Sequence, residues 1–348
     1  MPTDEYNKRV RHYADILNDL FDPTPYMRVD RLFEFVCSLV RAGGIEVQGW
    51  DPWYESQAII DDLQNLGALD LPPEKFPDAE RTRVRLALLS YCHITEMDFP
   101  YTLIANLLQL RIGQKYHMAP FNDLARPIGK GPHAKLLRPS PKKKIKRIKE
   151  LSEQAKLPSV GNALEEIYDD TIRNAVYHSD YTLHGSEMRL RGDRRKPKGQ
   201  NILTPVVQFD ELEELISNAF AFYSALLALY ERCRKSFTDF KNKFVPYDPH
   251  YKGIMEFVFG KDDGLIGFRV YWPNGSHSEF RRSEAGCVGQ NIEFDPDGSI
   301  NFFVGLYASK RGAFSPLVEF NSQPNYPCCP GTEFRPHWPD PLAAYNRP

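Results

Sequence analysis

The apolar residues of this 348-residue chain change their spacing once, at Pro246. Before it they recur every three to four positions, the period of an α-helix. After it they alternate, the period of a β-strand. A chain divided this way folds as a helical body followed by an antiparallel β unit, because short alternating strands joined by tight turns pair with their neighbours.

Helical spacing predicts helices over Tyr6–Phe21, Tyr26–Val40 and Trp53–Leu66, each followed by proline or glycine. A long apolar stretch, Arg81–Gln109, is expected to break or kink at Pro100. Further helices are expected over Pro141–Leu157, Val160–His178 and Phe209–Phe240. Strands are expected over Gly253–Phe259, Leu265–Trp272, Ser278–Arg282, Gln290–Phe294 and Ile300–Gly305, with turns at Asn274-Gly275 and Asp297-Gly298.

The chain therefore reads as mainly α, of the α+β class. Residues 1–75 form an N-terminal helical segment and 79–245 a helical bundle. Residues 250–312 form a small antiparallel β unit and 313–348 a proline-rich tail.

The N-terminal residues are charged and lack an apolar core, so no signal peptide is expected. No uninterrupted apolar run reaches the length of a bilayer span. The six cysteines form no Cys-x-x-Cys pair, which suits reduced thiols and a cytoplasmic location. Phosphate-cradling glycine loops, the Gly-x-Ser-x-Gly elbow and His-Glu-x-x-His are all absent. His93, beside Cys92, reads as a core histidine, and the segment at 295–299 reads as a β-turn. No metal or other cofactor is expected.

The informative segment is 171–181, TIRNAVYHSDY. On one continuous helix counted from Leu164, residues Ile167, Tyr168, Ile172 and Ala175 form the core face. His178 then falls at about −40° and Asn174 at about −80°, one turn apart at the edge of the apolar stripe. Arg173 points further outward, with enough length to curl toward a neighbouring cleft. His178 lies near the helix end, where the helix dipole favours imidazolium.

Arg173, Asn174 and His178 in this order resemble the HEPN family, whose signature is Arg, a polar residue, three more positions, then His. The continuation is similar too. An extended segment, Tyr181–Leu190, leads to a long helix beginning at Phe209, and an earlier helix over Arg83–Leu108 carries Glu96 in an apolar setting. The resemblance covers residues 79–240 and says nothing of 1–75 or of the β unit. Glu96 itself is expected in a salt bridge or at the surface.

The resemblance implies an antiparallel four-helix bundle that dimerises and cuts RNA without metal. His178 is then the general base or acid at the 2′-hydroxyl or the leaving oxygen. Arg173 holds the scissile phosphate, a task suited to a planar five-donor fork. Asn174 orients the other two, and the products are a 2′,3′-cyclic phosphate and a 5′-hydroxyl.

Charge supports a polyanionic partner. The whole chain carries −2, yet Arg126–Lys149 contributes +10 and Arg189–Lys198 contributes +5, leaving −17 elsewhere. Both basic segments flank the motif in sequence. Lys142, Lys143, Lys144, Lys146, Arg147, Arg194, Arg195 and Lys196 are the expected RNA contacts. The bland alternative is that the first run is only a solvated helix face.

Two functions suit these residues. One is a metal-independent endoribonuclease of HEPN type, acting as a toxin or an antiviral defence effector. The other is a non-catalytic RNA-binding or assembly module built on the same bundle. The expected partners are RNA and a second copy of the chain, with room for a regulatory protein and none for a membrane.

Overall fold

The computed structural model describes residues 4–26, 29–43, 51–128, 135–191, 205–248, 253–272, 276–283, 286–294 and 300–302. Among them the chain is mainly helical with small antiparallel sheets. The helices are α1 (Asp4–Asn18), α2 (Val29–Val40), α3 (Pro52–Ala68), α4 (Ala79–Glu96), α5 (Asp98–Arg111), α6 (Pro141–Gln154), α7 (Pro158–Glu166), α8 (Asp170–Tyr177) and α9 (Phe209–Ser236).

The long helix α9 organises the body. It begins with a reciprocal capping box between Gln208 and Glu211, which satisfies backbone donors that a helix start leaves unpaired. α1 and α4 pack along it, α3 and α8 pack on α4, and α5 packs between α2 and α6. By length and composition α9 with the turn after it, Phe209–Phe240, could cross a membrane. Its apolar face, including Leu226, Leu229 and Cys233, is covered by the other helices.

The largest sheet orders its strands β10-β9-β8-β7-β6, every pair antiparallel. These are β6 (Phe244–Asp248), β7 (Gly253–Phe259), β8 (Leu265–Tyr271), β9 (His277–Ser283) and β10 (Gly286–Gln290). α2 lies against β6 and β8, with Phe33 edge-on to Phe268 at 5.0 Å between ring centres. One continuous apolar core runs from Val10 in α1 to Phe280 in β9, so the N-terminal helices, the bundle and the sheet share an interior.

A buried ionic node locks the same junction. Arg282 of β9 donates to the carbonyls of Val40, Arg41 and Gly43, and its Nη1 lies 3.0 Å from Asp51 Oδ2. Arg41 meets that carboxylate at 2.7 Å. Asp51 also accepts from the Trp53 amide and caps α3.

Several elements depart from the periodicity. The long stretch breaks at Met97, not at Pro100. Met97 is extended, and Pro100 sits in the first turn of α5, where a helix has no amide to lose. The helix expected over Val160–His178 is two helices, α7 and α8. Asp169 separates them by accepting from the amides of Thr171 and Ile172, a cap stronger than the continuing apolar pattern. β6 was not expected. The strand expected over Gln290–Phe294 is divided between β10 and β11 (Ile292–Phe294), the second pairing with β12 (Ile300–Phe302). The turns at Asn274-Gly275 and Asp297-Gly298, and the tail beyond Phe302, lie outside the described residues.

Two short hairpins lie close to the Arg-x4-His segment or inside the basic run. β1 (Arg126–Ile128) pairs with β2 (Lys135–Leu137) inside the basic segment. β3 (Tyr181–His184) pairs with β4 (Glu187–Leu190) directly after α8, and β5 (Val206–Gln208) adds to it before α9. Gly185 turns the first link at φ +57°, a conformation that suits glycine.

Candidate active site

Arg173 and Asn174 lie on α8, and His178 is the residue that closes it. The split between α7 and α8 makes α8 a short, separately capped helix, so its direction is set by Asp169 rather than by Leu164. The Asp169 amide donates to the Tyr91 hydroxyl of α4 at 2.8 Å, pinning the start of α8 to that helix.

Arg173 reaches back to α4. Its Nη2 forms an ion pair with Glu96 Oε1. Its Nη1 donates to Asn174 Oδ1 at 2.7 Å, and its guanidinium stacks 4.9 Å from the centre of the Tyr177 ring. The Tyr177 hydroxyl donates to the Cys92 carbonyl at 3.4 Å. Partial burial pushes the Tyr177 phenol up, and the neighbouring Cys92 and Glu96 add to this while Arg173 opposes it. Burial likewise raises the Cys92 thiol to about 12, so it is not a nucleophile at neutral pH.

His178 behaves differently. Its backbone amide donates to the Asn174 carbonyl at 2.9 Å, while its side chain is exposed at the helix C-terminus. Arg173 and Asn174 are thus brought together with Glu96, and His178 stands a turn away in solvent.

Arg173 opens on a cleft of about 410 Å³ between the α4–α5 corner, the β1–β2 hairpin and the start of α6. Among the described residues five cations line it, Arg126, Arg138, Lys143, Lys144 and Arg173, against two carboxylates, Glu96 and Asp98. His178 is not among the lining residues. The basic segment therefore reaches the motif through space as well as in sequence.

The expected RNA contacts divide by location. Lys143 lines the cleft and Lys146 is exposed on α6. Lys142 pairs with Asp170 at 3.4 Å, and Arg147 with Asp123 at 2.7 Å. Lys144 is buried, paired with Asp98 and 5.5 Å from the Tyr101 ring centre, so it does not stand on a solvated face. Its place on α6 follows from Ile145 and Ile148, which turn that helix face inward. Arg194, Arg195 and Lys196 lie outside the described residues.

The structure adds residues that spacing along the chain did not single out. Asp98, Arg126 and Arg138 join the cleft, and Glu96 has a partner. The only signal for Glu96 was a carboxylate in an apolar helix, which does not name Arg173. Among the described residues no three His, Cys, Asp or Glu side chains gather in a way that could hold a metal ion. Comparison with family models, with curated proteins and with solved structures finds no match to this chain.

Proposed function

We propose that the chain is an endoribonuclease of HEPN type that works as a homodimer and needs no metal cofactor. The observation that carries this reading is the opening of Arg173, of the Arg-x4-His motif, onto a cation-lined cleft. His178 takes the proton of the ribose 2′-hydroxyl, whose oxygen attacks the adjacent phosphorus. The bond from phosphorus to the 5′-oxygen breaks, and the imidazolium returns its proton to that oxygen. Arg173 holds the phosphate oxygens as charge builds on them, and Asn174 fixes its guanidinium through the 2.7 Å bond. A two-fold axis brings a second motif opposite the first, which places an exposed His178 beside a partner's phosphate.

The second reading, a non-catalytic RNA-binding or assembly module, is favoured by His178 standing outside the lining of the cleft on which Arg173 opens. Incubation of the purified protein with a labelled RNA pool in EDTA separates the two. Cleavage by the wild type, lost in His178→Ala and Arg173→Ala with folding retained, supports the nuclease. Cleavage that survives both substitutions sinks the mechanism. Salt-sensitive RNA retention with no cleavage supports the second reading.

A further inference from the structure

The basic cleft already contains two anions of the chain's own. Glu96 ends α4 and Asp98 begins α5, with the extended Met97 between them. Glu96 pairs with Arg173. Asp98 pairs with Lys144 through one oxygen and with Arg138, at 3.2 Å, through the other. A single chain corner thus places two carboxylates on three of the five cations that line the cleft.

Carboxylate and phosphate oxygens satisfy a guanidinium in the same way, by accepting charge-assisted hydrogen bonds from its planar fork. The pair between Arg138 and Asp98 is also easy to exchange. The Arg138 side chain is 84% exposed and the Asp98 side chain 48%, so solvent screens their attraction and little stability is lost when an incoming anion replaces the carboxylate. Lys143 and Arg126 line the cleft beside them. Ser140 and Pro141 turn the N-terminus of the 14-residue α6 into the same space, adding the positive end of its dipole. Leu124, Leu137 and Pro139 supply an apolar wall for a ribose or base.

We infer that this cleft is the backbone subsite for single-stranded RNA, and that Glu96 and Asp98 hold the places of two phosphates until the strand displaces them. One phosphate goes to Arg173, and a neighbouring one to Arg138 and Lys143. The choice of RNA as ligand rests on the nuclease reading. The occupied cleft itself rests on the ion pairs.

The test measures binding of a fluorescent 2′-O-methyl oligonucleotide, which cannot be cut, and separately scores cleavage of the matching RNA. Asp98→Asn removes one internal anion from the cleft. Glu165→Gln removes the same charge from a pair with Lys149 outside it. Asp98→Asn is expected to tighten binding roughly fivefold beyond Glu165→Gln, the upper reach of one partly exposed charge. Arg138→Ala is expected to weaken binding and lower the slope of log affinity against log salt by about 0.7.

Equal effects of Asp98→Asn and Glu165→Gln overturn the proposal. If Asp98→Asn melts early, Arg138→Ala decides, because its exposed side chain is not needed for folding, and wild-type binding by it overturns the proposal. The expected binding pattern with no cleavage leaves the subsite and removes the nuclease. Cleavage with neither binding change does the reverse.

Discussion

Arg173 Nη2 and Glu96 Oε1 form an ion pair that joins α8 to the last residue of α4. Both side chains are partly exposed, at 22% and 31%, so the pair sits between a screened surface bridge and a buried one. It matters less for its strength than for where it leaves the guanidinium, over Tyr177 and on the rim of the cleft.

A double-mutant cycle with Arg173→Ala and Glu96→Gln should therefore return a coupling of about 0.5–1 kcal/mol. Urea denaturation of the four proteins measures it, and added salt should shrink it. A coupling above about 3 kcal/mol would mean that the pair is desolvated in solution.

Asp51 makes the opposite case, with a side chain only 4% exposed between Arg41 and Arg282. Burial alone would raise its carboxyl, but the two guanidinium groups and the Trp53 amide outweigh that and hold it below the ordinary carboxylate value. Its contribution to stability is thus present above an unfolded-state pKa near 3.9 and lost as pH falls through the lower folded value. Asp51→Ala should cost about 3–5 kcal/mol at pH 7, since it leaves two guanidinium groups at a buried junction without their counter-ion. The gap between wild type and variant should narrow at pH 3, as read by denaturant midpoints at both pH values.

Two glycine substitutions should move stability in opposite directions. A Cβ at Gly161 would lie 2.7 Å from the Lys149 Cα, where α7 crosses α6 on backbone atoms that cannot swing aside. Gly161→Ala should cost about 1–3 kcal/mol. Gly67, inside α3, has open space around its Cβ position, so Gly67→Ala should gain about 0.5 kcal/mol from the lower entropy of the unfolded chain. Thermal melts of the two variants check the signs, and a stable Gly161→Ala would contradict the close crossing.

The lysines of α6 should separate by burial. Lys144→Ala should destabilise the protein, because it empties the buried place between the Asp98 carboxylate and the Tyr101 ring and removes both contacts of that cation. Lys146→Ala should leave the melting temperature within a degree or so of wild type, as exposed substitutions do. It should act only on RNA affinity and its salt slope. The reverse ranking in melts and binding assays would refute this division of α6.

Much of the fold was present in the order of residues. The change of period at Pro246 separates helices from strands because helical and pleated backbones repeat at different intervals, and local apolar spacing records which one buries a face. The motif Arg173-Asn174 and the basic run from Arg126 were legible for the same local reason. The division at Asp169 was not, because a side-chain cap overrides an apolar pattern that continues through it. Nor could spacing assign Glu96 to Arg173, Asp98 to Lys144, or Arg282 to Asp51. These pairs join segments far apart in the chain, and only the packing of α4 and α5 against α6 and α8, and of α2 against the sheet, brings their charges within reach. Local residue order is enough to set the element types and to mark a region rich in cations. Which of those cations are neutralised inside the protein and which line the cleft depends on long-range packing.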